Sequence, residues 1–189
     1  MPEKIQRILE PSSGDRSSIL RMFLWQLDDQ SRRLAEDTRG ATVEELAWQP
    51  APGMNTAGML LAHIAIVEVG WVRSGVHGQE WDTGEALPIR REDDGIPLPP
   101  GGAPPAALRG RDLAFFDDLL ARAREHTRQA IAPLTDADLG RRFRITYGQG
   151  KEVEATVAWV LYHVLEHLAG HYGQVNLLRH QYRAARERG

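Results

Sequence analysis

The fold is decided by the stretch "HVLEHLAGHYGQ", residues 163–174, which places a histidine at every fourth position inside an apolar run. Around it, apolar residues recur with the helical period and predict one long helix from about Thr156 to Arg183. The predicted core face of this helix is a stripe formed by Val157, Leu161, Val164, Leu165, Leu168, Tyr172 and Val175. A helix with one apolar face must pack that face, so other segments of the chain have to cover it.

Three further segments repeat apolar residues with the helical period. They extend from about Asp15 to Asp37, from Asn55 or Thr56 to about Gly78, and from about Asp112 to Ile131. Residues 78–110 connect the second and third of these helices, are rich in proline and glycine, and have no convincing period of their own. Four helices, one long crossover and no strong strand pattern predict an all-α fold, a four-helix bundle formed by a single domain over residues 1–189.

Shorter patterns lie between the predicted helices. "TVEE", residues 42–45, is a capping-box pattern that predicts one or two helical turns before Pro50. "LTDADL", residues 134–139, predicts one more capped turn. "RRFRITYGQGKEVEA", residues 141–155, predicts a small hairpin or an ordered loop around its two glycines.

Composition excludes several classes of protein. The net charge of −3, with acidic and basic residues interleaved, provides no basic stripe for nucleic acid. No stretch reaches the roughly 18 uninterrupted apolar residues of a membrane span, and the N-terminus has no long apolar core. Cysteine is absent, which excludes disulfides, thiolate metal sites and a cysteine nucleophile. We therefore expect a soluble, cytoplasmic protein with neither nucleic acid nor membrane as a partner.

The three histidines of the last helix lie at different angles to its core stripe. His171 lies about 50° from the centre of the stripe, His167 about 90° and His163 about 130°. Three ligands spread over about eight residues of one helix span about 12 Å, so one ion cannot contact all of them. The angles favour His167 and His171, because helical bundles build their metal sites from inward-facing side chains.

A third ligand is expected from a neighbouring helix. His63 lies about 70° from the middle of the apolar stripe on the second predicted helix, still on its inner half. Taken alone, such a histidine is more often a hydrogen-bonded core residue than a ligand, but the pair on the last helix favours a metal site. Three imidazoles leave coordination positions open, which is typical of a catalytic site.

Two carboxylates near these histidines are poor candidates for a role in the site. "HVLEH", residues 163–167, matches the H-x-x-E-H pattern of inverted zinc peptidases, in which the glutamate is the general base. Glu166, however, points about 170° away from the core stripe, and such peptidases are larger than this chain. Glu68 lies about 140° from His63 on the same helix and is not expected to share a metal with it.

We expect two features near the predicted site, a hydrogen bond made by Gln174 and a lid formed by the crossover. Gln174, one turn after His171, is predicted to hydrogen-bond a ligand rather than to bind the ion. The crossover 78–110 is predicted to be a partly ordered lid with apolar anchors at Trp81, Leu87, Ile89, Ile96 and Leu98. Trp81 is interpreted as a packing residue, although it could reach a ligand. His77, His126 and His180 receive no role, and the last two are interpreted as surface residues.

Two stretches resemble the DinB-like (DinB/YfiT) superfamily of metal-binding four-helix bundles. They are "LAWQPAPGMNTAGMLLAHIAIVEVGW", residues 46–71, and "VLYHVLEHLAGHYGQVNLLR", residues 160–179. The resemblance implies that the three metal ligands are His63, His167 and His171. Tyr172 stands where many relatives have arginine, and the crossover 78–110 is longer and richer in proline than the family pattern.

Members of that family with assigned activities are similar to thiol-dependent transferases, and related members isomerise maleylpyruvate with mycothiol. The resemblance therefore implies a divalent metal, Zn²⁺ or Ni²⁺, with a low-molecular-weight thiol as co-substrate and a small-molecule electrophile as substrate. Two alternatives remain open: a metal-dependent hydrolase, and a non-catalytic metal-binding stress-response protein. A homodimer is the expected assembly.

Overall fold

The computed structural model describes residues 18–147 and 151–188, which form five α-helices and one small β-hairpin. The helices are α1 (Ser18–Thr38), α2 (Val43–Ala47), α3 (Ala57–His77), α4 (Leu113–Ile131) and α5 (Val157–Glu187). The strands are β1 (Arg142–Tyr147) and β2 (Lys151–Thr156). The predicted all-α class is confirmed. The predicted start of the first helix near Asp15 lies outside the described residues.

Helix α3 is the centre of the packing, because it contacts both α4 and α5, while α1 lies against those same two helices. Gly58 packs against Phe116 near the N-terminal ends of α3 and α4, and Glu68 pairs with Arg124 further along, so these two helices run parallel. The short connection through α2 turns the chain back between α1 and α3. Helix α5 runs antiparallel to α3, which brings the middle of α3 against the middle of α5.

Helix α3 is buried on almost every side, and only His63, Arg73 and His77 escape full burial. Thr56 caps its N-terminus by accepting a hydrogen bond from the backbone N–H of Met59 at 3.1 Å. Its length and composition would suffice to span a membrane, but 89% of its most apolar window is buried inside the protein. Burial of that extent is typical of a helix packed at the centre of a protein.

The crossover 78–110 is attached to the helices at several points. Leu87, Ile89 and Leu108 are buried in the core. Trp81 lies on Gly70 of α3, where a Cβ atom would come within 2.4 Å of the indole ring. Two short 3-10 turns, Arg91–Asp94 and Ala106–Leu108, lie within this segment, although its sequence has no helical period.

The predicted hairpin precedes α5. Its strands pair antiparallel, with Ile145 opposite Val153, and residues 148–150, where the prediction placed its turn, lie outside the described residues. At its end, Thr156 accepts a hydrogen bond from the backbone N–H of Trp159 at 3.2 Å and so caps α5. The core stripe predicted for α5 is buried at Val157, Leu161, Val164, Leu168 and Val175, but Leu165 and Tyr172 are only partly buried.

Candidate metal centre

The antiparallel packing of α3 and α5 brings His63 to the i, i+4 pair His167 and His171. The Nε2 atom of His167 lies 3.1 Å from Nε2 of His63 and 3.0 Å from Nε2 of His171. All three side chains are partly buried, and one nitrogen from each lies within 4.8 Å of the other two. The structure therefore brings together the three histidines that the sequence singled out, and they could hold a metal ion.

His63 is oriented by a carboxylate that the sequence analysis missed. Its Nδ1 lies 2.7 Å from Oδ2 of Asp94, the last residue of the first 3-10 turn in the crossover. Asp94 is only 5% exposed, and its Oδ1 accepts a hydrogen bond from the backbone N–H of Ile96 at 3.0 Å. No sequence signal separates Asp94 from the adjacent Glu92 and Asp93, because the contact joins segments that are far apart in the chain.

His171 is oriented by Gln174, which lies one turn further along α5. The Nδ1 atom of His171 is 2.7 Å from Oε1 of Gln174. This is the kind of contact that the sequence analysis expected from Gln174, whose effect on metal affinity stays a prediction. Hydrogen bonds of this kind to the second ring nitrogen are typical of histidines that bind metals through the first.

The hydrogen-bond partners determine which nitrogens carry protons. A carboxylate and an amide oxygen can only accept, so Nδ1–H donates in both His63 and His171, and their Nε2 atoms carry lone pairs. Both lone pairs face Nε2 of His167, which can donate at most one hydrogen. The cluster therefore has more acceptors than donors, and a cation at its centre would satisfy all three nitrogens.

Burial keeps the cluster from taking up protons instead. It lowers the pKa of His167 to about 3, with further lowering from the possible positive charges of His171, His63 and His163. Burial also lowers the pKa of His171, against an opposing contribution from its hydrogen bond to Gln174. At neutral pH both imidazoles are neutral, which is the form that binds metal ions.

The family model of the DinB superfamily matches residues 26–175, a span that includes all three histidines and Gln174. The chain belongs to the DinB superfamily. The resemblance expected from the sequence is thereby confirmed, and family and cluster together fit a metal-binding protein.

Among solved structures, this DinB-superfamily chain is similar to the crystal structure of a conserved protein from Enterococcus faecalis. The TM-score is 0.63 and the sequence identity 17%, over 89% of this chain and 98% of that one. At this identity the likeness shows the fold alone. No curated protein matches the chain.

His163 lies beside the cluster without joining it. Its ring stacks on Trp159, with centroids 4.7 Å apart and planes at 8°, and meets Trp71 edge-on at 5.1 Å. Its Nδ1 is bound to Glu166, 2.9 Å away. Glu166 is exposed and pairs with His163 on the outer side of α5, so the H-x-x-E-H pattern does not form a peptidase site here.

Glu68 is engaged on the opposite side of α3, as its angle to His63 predicts. Its carboxylate accepts two hydrogen bonds from Arg124, at 2.8 and 3.0 Å, and one from the Thr127 hydroxyl at 2.7 Å. All three residues are buried. This cluster joins α3 to α4 and contributes no ligand to the histidines.

The interpretation of His126 as a surface residue is wrong. Its side chain is partly buried at the C-terminal end of α3, its ring lies 6.0 Å from that of His77, and burial lowers its pKa. The charged residues next to His126 in the sequence lie on other faces of α4, so they do not indicate that His126 is exposed.

His180 is exposed, as expected. Trp81 packs on α3 and lies under the guanidinium of Arg91, 4.7 Å from the ring centroid.

A pocket of about 240 Å³ lies apart from the histidines. Its lining includes Leu46, Gly58, Leu108, Phe116, Arg109 and Arg111. It borders the first turn of α3, whereas His63 lies on the second turn. None of the three histidines lines the pocket, so the pocket and the candidate metal centre are separate features.

Proposed function

We propose that this DinB-superfamily protein is a metal-dependent enzyme that transfers a low-molecular-weight thiol to a small electrophilic molecule. The observation that carries the proposal is the convergence of three imidazole Nε2 atoms, two of them with lone pairs set by hydrogen bonds at Nδ1. Three protein donors leave further coordination positions for a thiol or a substrate.

The donor set selects among metals. Imidazole nitrogens suit Zn²⁺ and Ni²⁺, whereas Mg²⁺ and Ca²⁺ require oxygen ligands. Ligands placed about 2.0–2.1 Å from a tetrahedral zinc ion lie roughly 3.3 Å apart. The observed separations of 3.0 and 3.1 Å come within a few tenths of an ångström of that value, so small side-chain movements would suffice.

The thiol must come from outside the chain, because the sequence contains no cysteine. A divalent metal ion held by His63, His167 and His171 would supply Lewis acidity, which would lower the pKa of a bound thiol. The protein keeps His167 and His171 unprotonated. It also orients the ring of His63 through Asp94 and the ring of His171 through Gln174.

Open space lies beside the cluster at Gly170. Gly170 is exposed on the flank of α5 next to His167 and His171, and a Cβ atom there would meet nothing within 4 Å. On the other side, the ring of His163 stacks on that of Trp159 beside the cluster. A small molecule would therefore approach along the Gly170 side.

The test uses the protein loaded with Zn²⁺, Ni²⁺ or Co²⁺. A low-molecular-weight thiol added to the Co²⁺ form should produce a sulfur-to-metal charge-transfer band. Conjugation of that thiol to a chlorinated aromatic electrophile, in which a C–S bond forms, the C–Cl bond breaks, and chloride and the thiol proton are released, should require metal. Chelation or His167→Ala should abolish both signals, whereas His163→Ala, which removes a neighbouring histidine outside the cluster, should preserve them. Loaded protein that gives neither band nor conjugation would contradict the proposal.

Metal-dependent hydrolysis is the second candidate, because the same open coordination positions suit a water molecule. Turnover of an ester or amide that requires metal but no thiol would favour it. A loaded protein inactive in both assays would instead support the non-catalytic metal-binding alternative.

We also propose a homodimer, as the sequence led us to expect. Tyr162 and Leu177 are large apolar residues on the outer face of α5, 54% and 57% exposed. Light scattering coupled to size-exclusion chromatography should give twice the chain mass of 21.2 kDa. The cytoplasmic location stays a prediction.

A further inference from the structure

Asp94 connects the crossover to the candidate metal centre. It lies 31 residues beyond His63 in the chain, yet its Oδ2 is 2.7 Å from Nδ1 of that histidine. A buried carboxylate is costly unless both oxygens are hydrogen-bonded, and here the second acceptor is satisfied by the backbone N–H of Ile96. The burial of Asp94 therefore depends on a proton at Nδ1 of His63.

We infer that Asp94 is a positioning residue that couples metal occupancy at the three histidines to the folding of the crossover around residues 91–96. The inference rests on the metal centre proposed above. By holding the proton of His63 on Nδ1, Asp94 leaves Nε2 as a lone pair that faces His167. A cation bound to that nitrogen would polarise the ring and make Nδ1–H a stronger donor to Asp94.

Coupling of this kind is reciprocal. If Asp94 raises the affinity of the site for metal, bound metal stabilises the Asp94 contact by the same factor. The turn Arg91–Asp94 lies between two other attachments of the crossover, the buried Ile89 on one side and Gly102 on the other. Gly102 accepts a hydrogen bond from Gln49 Nε2 at 2.9 Å. Metal binding should therefore tighten the middle of the crossover while its ends stay as they are.

The experiment measures two quantities on the full chain. Zn²⁺ affinity is determined by competition with a chromophoric chelator, and amide hydrogen exchange is followed across residues 78–110 with and without Zn²⁺. In the wild-type protein, Zn²⁺ should slow exchange in 91–96 more than in 80–89. Asp94→Ala should lower the Zn²⁺ affinity about 10- to 100-fold and remove the metal-dependent protection.

Two variants separate positioning from general damage to the turn. Asp93→Ala is the matched control, because Asp93 accepts a hydrogen bond from the backbone N–H of Arg90 at 2.7 Å in the same turn but does not contact His63. It should keep wild-type Zn²⁺ affinity and metal-dependent protection. Asp94→Asn keeps one acceptor oxygen and should lose less affinity than Asp94→Ala.

The inference and the proposed function fail in different ways. Equal Zn²⁺ affinity in wild type and Asp94→Ala, or equal losses in Asp93→Ala and Asp94→Ala, would overturn the coupling whatever reaction the protein catalyses. The expected Asp94 effects in a protein that transfers no thiol would support the coupling and contradict the proposed reaction. A wild-type protein that binds neither Zn²⁺ nor Ni²⁺ would overturn both.

Discussion

Two polar clusters lie on opposite sides of α3, and they differ in how their hydrogen bonds balance. Toward α4, the carboxylate of Glu68 is matched by the guanidinium of Arg124 and a hydroxyl group, so every strong acceptor has a donor. Toward α5, His63 joins two other histidines whose lone pairs outnumber the available protons. The balanced cluster needs nothing further and serves the packing, whereas the unbalanced one is suited to bind a cation.

The comparison predicts complete loss of metal binding on one side of α3 only. His63→Ala and His171→Ala should each abolish stoichiometric metal binding, because each removes one of three donors. His63→Ala also leaves the buried Asp94 without its hydrogen-bond donor, so it should lower stability more than His171→Ala does. Elemental analysis after dialysis against Zn²⁺, together with circular dichroism, measures both properties. His163→Ala should leave binding nearly intact; if it loses the metal and His171→Ala retains it, the ligands have been assigned to the wrong pair.

Substitution in the Glu68 cluster, on the opposite side of α3, should lower the stability of the protein and leave metal binding unchanged. Glu68→Ala leaves the buried Arg124 with only its long contact to Asp28, at 3.5 Å, and should lower the free energy of unfolding by about 3–5 kcal/mol. Urea denaturation of the metal-free proteins measures the loss. The folded fraction should still bind one equivalent of metal, and reduced stoichiometry in that fraction would mean that the two clusters are not independent.

A smaller effect is expected from the hydrogen bond at the outer edge of the histidine cluster. Gln174→Ala removes the acceptor for Nδ1–H of His171 and should weaken metal affinity by about 10- to 100-fold. Competition with a chelator gives the value. Total loss would make Gln174 a ligand itself, and an unchanged affinity would show that the contact has no influence on the metal.

The most gradual effect concerns the pH dependence of the metal-free protein. The pKa of His167 is about 3 in the folded protein, against an ordinary value of 6.5, so between these values the unfolded chain binds a proton that the folded one does not. Its contribution to stability is complete above pH 6.5 and is lost as the pH falls toward 3, at no more than about 1.4 kcal/mol per pH unit. Urea denaturation from pH 7 to pH 4 should give a flatter profile for His167→Gln than for wild type. Parallel profiles would contradict the lowered pKa.

Much of the helical framework could be predicted because helix signals are local. Thr56 before α3, Asp112 before α4 and Gly78 after α3 act as the caps that their residue types suggest. The crossover could be predicted less well, since its two 3-10 turns and its attachments to α3 depend on contacts with distant residues. The single-domain organisation over residues 1–189 stays a prediction.

The sequence by itself determined that His167 pairs with His171, because a four-residue step places side chains on one face of a helix and this pair lies closer to the apolar stripe than His163 does. It also determined the helical class, through periodic apolar positions and caps. Only the tertiary structure decided the partners of His63. Helix α3 is apolar on nearly all sides, so its helical periodicity does not indicate which neighbouring helix each face contacts. The contact with Asp94 was decided there too, since it joins a helix to a segment without any period, and only packing of the whole chain brings the two together.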